Sequence, residues 1–219
     1  MFTHVIFDLD GTLLNTIDDL ANAGNYMCRQ YGFPEHSVDQ YKKMVGNGLR
    51  KLVERFVPEG TSQETQEAIF VAFKAYYDQH KEDKTAPYAG MPELVQELKN
   101  RGISVAVLTN KADKMAAAVV NSYYPNLFPV VQGAVEGKPV KPDPTMLYVL
   151  MEKIGAKRKS TLFVGDSNVD MQTAKNGSLT SCGVLWGFRT REELEREQAD
   201  YLVATPQELL QLILDGNRK

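Results

Sequence analysis

The sequence predicts an α/β protein: a Rossmann-like parallel sheet core with helices on both faces, plus an inserted all-helical cap domain. Short apolar runs of strand length recur along the chain and alternate with segments of helical periodicity. These runs lie at 5–7, 103–108, 161–164, 179–185 and 201–203. Because strands joined through helices form parallel βαβ units, the alternation indicates a parallel sheet with a helical layer on each face.

The segments between these runs have apolar residues spaced three and four positions apart, as on one face of a helix. They comprise Leu94, Val95 and Leu98, then Met115, Val119 and Val120, then Leu147, Leu150, Met151 and Ile154. A last helix is predicted to follow Thr205, with Pro206 at its first position and Glu208 completing a capping box, and to continue to about Leu214.

Residues 15–87 interrupt the alternation, since they have helical periodicity but no convincing strand. The clearest apolar stripe is predicted on a helix that starts at Thr61, with Glu64 three residues on. Its members are Ile69, Phe70, Phe73, Tyr76 and Tyr77. We therefore predict a Rossmann-like core formed by residues 1–14 and 88–219, and a helical cap domain formed by residues 15–87. An insert after the first strand lies above the carboxyl edge of the sheet, where such sheets bind ligands.

Composition is that of an ordinary globular protein and excludes several classes. The chain has 219 residues, 43% of them hydrophobic, and a formal net charge of -3, so it has no global positive field to hold a nucleic acid. Cys28 and Cys182 match neither a disulfide framework nor a metal-binding motif, and we expect two buried thiols. With no signal peptide and no membrane-length apolar run, we expect a cytoplasmic monomer or homodimer without a membrane partner.

Polar residues follow the predicted strands where their carboxyl ends meet. Taken singly, each has an ordinary interpretation: a turn, a helix N-cap, a surface lysine or compensation of a helix dipole. Their occurrence together, in an order that places all of them at one edge of the sheet, predicts a single site. The candidates in chain order are Asp8, Asp10, Thr109, Asn110, Lys141, Asp166 and Asp170.

These motifs resemble the signatures of the haloacid dehalogenase-like hydrolase superfamily. Its members have a D-x-D-G-T loop, a strand ending in Thr or Ser, a downstream Lys, and a strand ending in G-D-x-x-x-D. All four are present here, and the resemblance covers essentially the whole chain. The inserted segment resembles the helical type of cap in that superfamily. The resemblance implies hydrolysis of a small phosphate monoester through an aspartyl-phosphate intermediate.

The resemblance also implies a role for each catalytic residue. Asp8 would attack phosphorus, and Asp10 would protonate the leaving alkoxide and then take a proton from water. Members of the superfamily that retain their phospho-aspartate lack a carboxylate at this position, so Asp10 favours a phosphatase. Thr109 and the backbone amide of Asn110 would bind the transferring phosphoryl group, and Lys141 would offset its charge.

A magnesium site is implied at the same edge, because clustered carboxylates repel each other unless a hard cation lies between them. By resemblance, the ligands would be the side chains of Asp8 and Asp166 and the backbone carbonyl of Asp10. Asp170 would position Lys141 or a metal-bound water.

The substrate is indicated by the cap. Within the superfamily, the run 45–48, Val-Gly-Asn-Gly, resembles the phosphoglycolate phosphatase group. Such a turn could present N–H groups to a small anionic leaving group, with Gly46, Asn47 and Arg50 as candidate binding residues; it could equally be a plain interhelical turn with solvated basic residues. We predict 2-phosphoglycolate as the substrate.

Other interpretations remain open at this point. A β-phosphoglucomutase-like phosphotransferase would use the same intermediate, although Thr12 argues against it, and a pyrophosphatase, nucleotidase or sugar phosphatase would share the core. A non-catalytic binding protein should have lost part of the motif set, and none of it is lost. Lys138 and Lys141 both precede proline, but the following Asp143 and Pro144 match the family pattern to Lys141.

Overall fold

A six-stranded parallel sheet forms the centre of the structure, a computed structural model that describes residues 2–215. Two further strands, β2 and β3, form a short antiparallel ribbon. The strands are β1 (His4–Phe7), β2 (Leu14–Asn15), β3 (Ala86–Pro87), β4 (Ser104–Ala112), β5 (Val131–Ala134), β6 (Thr161–Gly165), β7 (Thr180–Val184) and β8 (Tyr201–Val203).

Ten α-helices lie within residues 2–215. The first four fall between β2 and β3, and the other six alternate with the strands of the sheet. They are α1 (Ile17–Tyr31), α2 (Val38–Met44), α3 (Leu49–Phe56), α4 (Gln63–His80), α5 (Met91–Asn100), α6 (Asp113–Tyr123), α7 (Thr145–Lys153), α8 (Asn168–Gly177), α9 (Arg191–Arg196) and α10 (Pro206–Asp215).

The order of the strands places β1 at a switch point. The sheet runs β5-β4-β1-β6-β7-β8, so the chain extends it on one side of β1 and then on the other. Phe7 at the end of β1 pairs with Val107 in β4 and Val164 in β6. Ligands of open parallel sheets bind at the carboxyl ends of strands where the order reverses, which here is the end of β1.

Helices cover both faces of the sheet, as predicted. Val5 and Phe7 of β1 belong to the apolar cluster with α5, α6 and α10. Ile6, which points to the opposite face because side chains alternate along a strand, packs in the cluster with α7 and α8. The fold class is thereby confirmed.

Helices α1 to α4 pack around a third apolar cluster of their own. Ile69, Phe73 and Tyr77 of the predicted stripe are fully buried in it, whereas Phe70 and Tyr76 are partly buried. The helix that carries them begins one residue later than predicted, because its N-cap is formed by Ser62, whose Oγ accepts from the N–H of Thr65 at 3.1 Å, and not by Thr61. Met115 and Phe188 of the core also contribute to this cluster, which joins the cap helices to the core.

Some elements differ from the sequence-based expectations. Strand β4 continues past Leu108 to Ala112 with a bulge, and β5 was not predicted. β5 is a four-residue edge strand with the sequence Val-Gln-Gly-Ala, whose two polar or small positions give no apolar run. The β2–β3 ribbon pairs residues more than seventy positions apart, so no local pattern indicates it.

Two smaller expectations concern the thiols and membrane spans. Cys28 and Cys182 are both free and buried, as expected. Within residues 2–215, no helix combines the length and the apolar character needed to cross a membrane.

Candidate active site

The carboxyl ends of β1, β4 and β6 bring the predicted side chains to one edge of the sheet. Asp8 directly follows β1, and its N–H donates to the carbonyl of Val164 at 2.8 Å, which holds it in line with β6. Thr109 and Asp166 lie at the same edge, because they come two residues after the positions that pair with Phe7. All three residues are buried. The site is therefore enclosed by protein.

Lys141 places a positive charge between two of the carboxylates. Its Nζ donates to Asp8 Oδ1 and to Asp170 Oδ1, both at 2.7 Å. The side-chain amide of Asn110 holds the backbone of Lys141: Oδ1 accepts from the Lys141 N–H at 2.9 Å, and Nδ2 donates to its carbonyl at 3.0 Å. Lys138, the alternative lysine, is exposed on the surface.

The carboxylate of Asp170 is held by the N-cap residue of its own helix, α8. Its Oδ2 accepts from the N–H and the Oγ of Ser167, at 3.1 and 2.7 Å. The other oxygen is the one that accepts from Lys141. Asp170 therefore links α8 to Lys141 and fixes the position of the lysine.

Asp166 is packed between two glycines. One carboxylate oxygen accepts from the N–H of Phe188 at 2.7 Å, and the other accepts from Thr12 Oγ1 at 3.4 Å. A Cβ atom on Gly11 or Gly187 would overlap Asp166, and Gly11 also has a φ of +91°. Glycine is required at these positions because the backbone passes directly against the carboxylate.

Burial and mutual repulsion make the charges of these carboxylates costly. Burial, followed by the nearby charge of Asp170, raises the pKa of Asp8 to about 7, although Lys141 acts in the opposite direction. Burial also raises the pKa of Asp166 well above its usual range, and the charges of Asp170 and Asp8 add to this. For Lys141, burial lowers the pKa, but Asp170 and Asp8 outweigh it and the net shift is upward.

This group of residues fits a divalent cation. Asp8, Asp166 and Asp170 each offer a carboxylate oxygen, and these oxygens lie within 4.8 Å of one another. With Asp10, four carboxylates face two lysines, Lys111 and Lys141, so two negative charges are in excess when all four carboxylates are ionised. One divalent ion would balance this excess, and oxygen-only ligands suit a hard cation.

Asp10 is contacted by a lysine that the sequence analysis did not assign. The Nζ of Lys111 donates to Asp10 Oδ1 at 3.0 Å and to the hydroxyl of Tyr77, on cap helix α4, at 2.8 Å. Lys111 is two residues after Thr109 in β4, and both line the cavity below the cap. A lysine inside a buried strand end was the signal that could have identified it.

The segment after β7 also reaches the site without having been predicted. Trp186 Nε1 donates to the carbonyl of Thr12 at 3.0 Å, and Phe188 N–H holds Asp166. The next residue, Arg189, donates to the carbonyl of Val45 in the cap at 2.7 Å. The segment therefore connects Asp166 to the cap turn. Its position after a strand at this edge was the available signal.

The cap turn at residues 45–48 contacts the site through its backbone. Asn110 Nδ2 donates to the carbonyl of Gly46 at 2.9 Å, which places Gly46 beside the site. The side chain of Asn47 instead accepts from Arg55 at 2.8 Å.

The structure does not bring Arg50 to the cavity beside Asp8. Its guanidinium pairs with Glu67 and lies 4.0 Å from the ring centroid of Phe70. It lines a separate cavity of about 420 Å³ between α3 and α4. The physical reason is helical periodicity: Arg50 is in the first turn of α3, on the face opposite Leu49 and Leu52, which face the site.

A small cavity separates the sheet edge from the cap. Its volume is about 30 Å³, which is enough for roughly two or three water molecules. The core lines it with Asp8, Asp10, Thr109, Asn110 and Lys111, and the cap lines it with Leu20, Val45, Gly46, Gly48, Leu49 and Leu52. With the cap in this position, only a group of a few atoms fits beside the carboxylates.

Comparison with known proteins assigns this arrangement to a family. Residues 5–184 match the family model described as haloacid dehalogenase-like hydrolase. A phosphoglycolate phosphatase of Vibrio vulnificus (strain CMCP6) is 31% identical over 217 residues, which cover 96% of this chain and 95% of the relative. Phosphoglycolate phosphatase 1 of Pseudomonas aeruginosa is 30% identical, with 94% and 78% covered.

Solved structures have the same fold. A crystal structure of a protein provisionally described as a phosphoglycolate phosphatase, from Lactobacillus delbrueckii subsp. bulgaricus, superposes with a TM-score of 0.91 at 29% identity. The superposition covers 97% of this chain and 98% of the other. The likeness therefore includes the core and the cap helices together.

Proposed function

Since the chain belongs to the haloacid dehalogenase-like hydrolase family, we propose that it is a Mg²⁺-dependent phosphatase that hydrolyses 2-phosphoglycolate through an aspartyl-phosphate on Asp8. The observation that carries this proposal is the small cavity between Asp8 and the cap. It sets a buried carboxylate, with a lysine 2.7 Å away, opposite a cap that leaves room for a leaving group of only a few atoms.

The reaction takes two steps that use the same two carboxylates. In the first, a carboxylate oxygen of Asp8 attacks phosphorus, the ester P–O bond breaks, and Asp10 gives its proton to the departing oxygen. In the second, Asp10 takes a proton from water as the water oxygen attacks phosphorus. The bond between phosphorus and the Asp8 oxygen then breaks, which restores the carboxylate and releases inorganic phosphate.

The charge on the transferring phosphoryl group is offset by groups that are already in place. Thr109 and the N–H of Asn110 would donate to its oxygens, and Lys141 would supply a positive charge. Asp170 and the side chain of Asn110 hold Lys141 in position before substrate arrives. Donors fixed in advance need no reorganisation during the reaction, which is the main source of this kind of stabilisation.

Mg²⁺ would be held by the side chains of Asp8 and Asp166 and the backbone carbonyl of Asp10. Bound there, it would neutralise phosphoryl oxygens and the carboxylate cluster. The excess of two negative charges at the site supports a divalent ion.

Mg²⁺ is expected to raise the unfolding temperature of the wild-type protein, because the ion relieves repulsion among buried carboxylates and binds only the folded chain. In Asp166→Asn the rise should be lost, and activity should fall by roughly 10²-fold or more. Thermal unfolding with and without Mg²⁺ measures this, with Asp39→Asn, an exposed aspartate on α2, as the matched control. An equal Mg²⁺ response in wild type and Asp166→Asn would contradict the assignment.

The cap boundary belongs to the same proposal, since substrate has to enter the small cavity between the core and the cap. We place the core at residues 1–14 and 88–219 and the cap at residues 15–87, with the β2–β3 ribbon as the hinge between them. The carboxylate of Asp19 holds the ribbon closed by accepting from the N–H groups of Lys84 and Thr85, at 3.0 and 2.8 Å.

The substrate is tested with a panel of phosphate compounds: 2-phosphoglycolate, pyrophosphate, nucleotides and sugar phosphates. The panel also includes glucose 1-phosphate together with glucose 1,6-bisphosphate. We expect 2-phosphoglycolate to have the highest kcat/KM, because larger leaving groups would hold the cap open and expose the site to water. Phosphate release with Mg²⁺ is the readout. Pyrophosphate, a nucleotide or a sugar phosphate with the highest kcat/KM would overturn the substrate, and isomerisation of the sugar without phosphate release would indicate a mutase instead.

A further inference from the structure

Lys111 is a buried cation whose position relative to the reaction is unusual. Its side chain is almost entirely buried, at 1% exposure, and it lines the cavity between the sheet edge and the cap. Asp8 pairs with Lys141, so Lys111 is not the partner of the proposed nucleophile. Burying a second ammonium group in the same small space is costly even with Asp10 as its ionic partner at 3.0 Å.

The contacts of Lys111 place it on the leaving-group side of the site. It donates to Asp10, the residue that would protonate the leaving oxygen, and to Tyr77 of the cap. Within the described residues, these two oxygens are the hydrogen-bond partners of its ammonium group, which has three N–H bonds. One N–H therefore remains for a ligand, one hydrogen bond away from the group that contacts the ester oxygen.

The surroundings of Lys111 suit a short acid. On the cap side, the cavity wall is formed by the apolar side chains of Leu20, Leu49 and Leu52. A leaving group that fits it has one or two apolar carbons and an anionic end at the cation. We infer that Lys111 is the specificity-determining residue that binds the carboxylate of the leaving group, so the enzyme selects phosphorylated short hydroxy acids. This inference rests on the proposed function.

The geometry assigns this task to Lys111 in place of Arg50. Arg50 pairs with Glu67 and lines a different cavity, so it reaches the substrate only if the cap rearranges. Tyr77 also makes the contact dependent on the cap, because its hydroxyl comes from α4. Substrate binding and cap closure would thereby use the same lysine.

The test compares two esters of similar size, 2-phosphoglycolate and ethyl phosphate, in which a methyl group replaces the carboxylate. In Lys111→Met, the ratio of kcat/KM for 2-phosphoglycolate to kcat/KM for ethyl phosphate should fall about 10- to 100-fold, mainly through KM, because a charged hydrogen bond to substrate is lost. Any effect on Asp10 changes kcat for both esters equally and cancels in this ratio. Lys114→Met, at an exposed lysine on α6, is the matched control and should leave the ratio unchanged.

A second measurement needs no variant. The product glycolate should inhibit the wild-type enzyme, whereas glycolamide, a neutral molecule of the same size, should not. Equal inhibition by both, or an unchanged substrate ratio in Lys111→Met, would overturn the inference and leave the phosphatase intact. Absence of phosphate release from every ester by the wild-type protein would overturn the proposed function itself, so the two failures are distinguishable.

Discussion

Asp8→Asn is expected to reduce Mg²⁺-dependent phosphate release by at least about 10⁴-fold, because an amide of the same shape cannot attack phosphorus. Lys141 loses one of its two carboxylate partners but retains Asp170, so the rest of the site should keep its geometry. Steady-state phosphate release from the best ester measures the effect. Asp39→Asn, at an exposed aspartate on α2, should keep wild-type activity. Residual activity of Asp8→Asn above a few per cent of wild type would contradict its role as nucleophile.

The same substitution separates loss of chemistry from loss of fold. Burial and the charge of Asp170 raise the pKa of Asp8 to about 7, which means that ionising Asp8 works against the metal-free fold at neutral pH. A neutral side chain removes this repulsion. Metal-free Asp8→Asn should therefore unfold at a temperature no lower than the wild-type protein, a common pattern where function opposes stability.

Lys141→Ala is expected to reduce kcat by about 10³-fold, whereas Lys138→Ala should leave it within about twofold. Lys141 is buried against Asp8 and Asp170, and its charge would face the phosphoryl group during transfer. Lys138 is exposed three residues earlier in the same segment, so it is the matched control. Parallel kinetics of the two variants are the measurement. If Lys138→Ala were inactive and Lys141→Ala tolerated, the assignment of the lysine would be wrong.

Lys141→Ala should also lower stability in the absence of metal. Removing one partner of a buried ion pair leaves an uncompensated charge, which costs about 3–5 kcal/mol. Here it leaves both Asp8 and Asp170 without their cation. The kinetics are therefore compared at a temperature where circular dichroism shows Lys141→Ala to be folded.

The sequence contained the information needed to predict the residues that follow buried parallel strands. Asp8, Thr109 and Asp166 each come directly after a run that is buried on both faces, and parallel strands bring their carboxyl ends to one edge. The fold class was predictable for the same reason. Lys141 follows no strand, and its position depended on the family pattern. The structure shows how it is held there, through the paired hydrogen bonds of Asn110.

The remaining features depend on contacts between distant parts of the chain. Lys111 and Tyr77 are brought together by cap helix α4 and strand β4, and neither residue alone indicates the contact. Arg189 reaches the carbonyl of Val45 across 144 positions. Arg50 was assigned to the substrate because it is close in sequence to the turn, but the face of α3 on which it lies depends on where that helix begins.

Trapping the aspartyl-phosphate tests the central claim most directly. In Asp10→Asn, a substrate with a good leaving group, p-nitrophenyl phosphate, can still phosphorylate Asp8 because the departing phenolate needs no proton. Hydrolysis of the intermediate lacks its general base and becomes slow. We predict a burst of about one p-nitrophenol per active site, and after acid quenching, mass spectrometry should find one phosphoryl group on the peptide that contains Asp8. Release without a burst, or a phosphoryl group on another residue, would contradict the account.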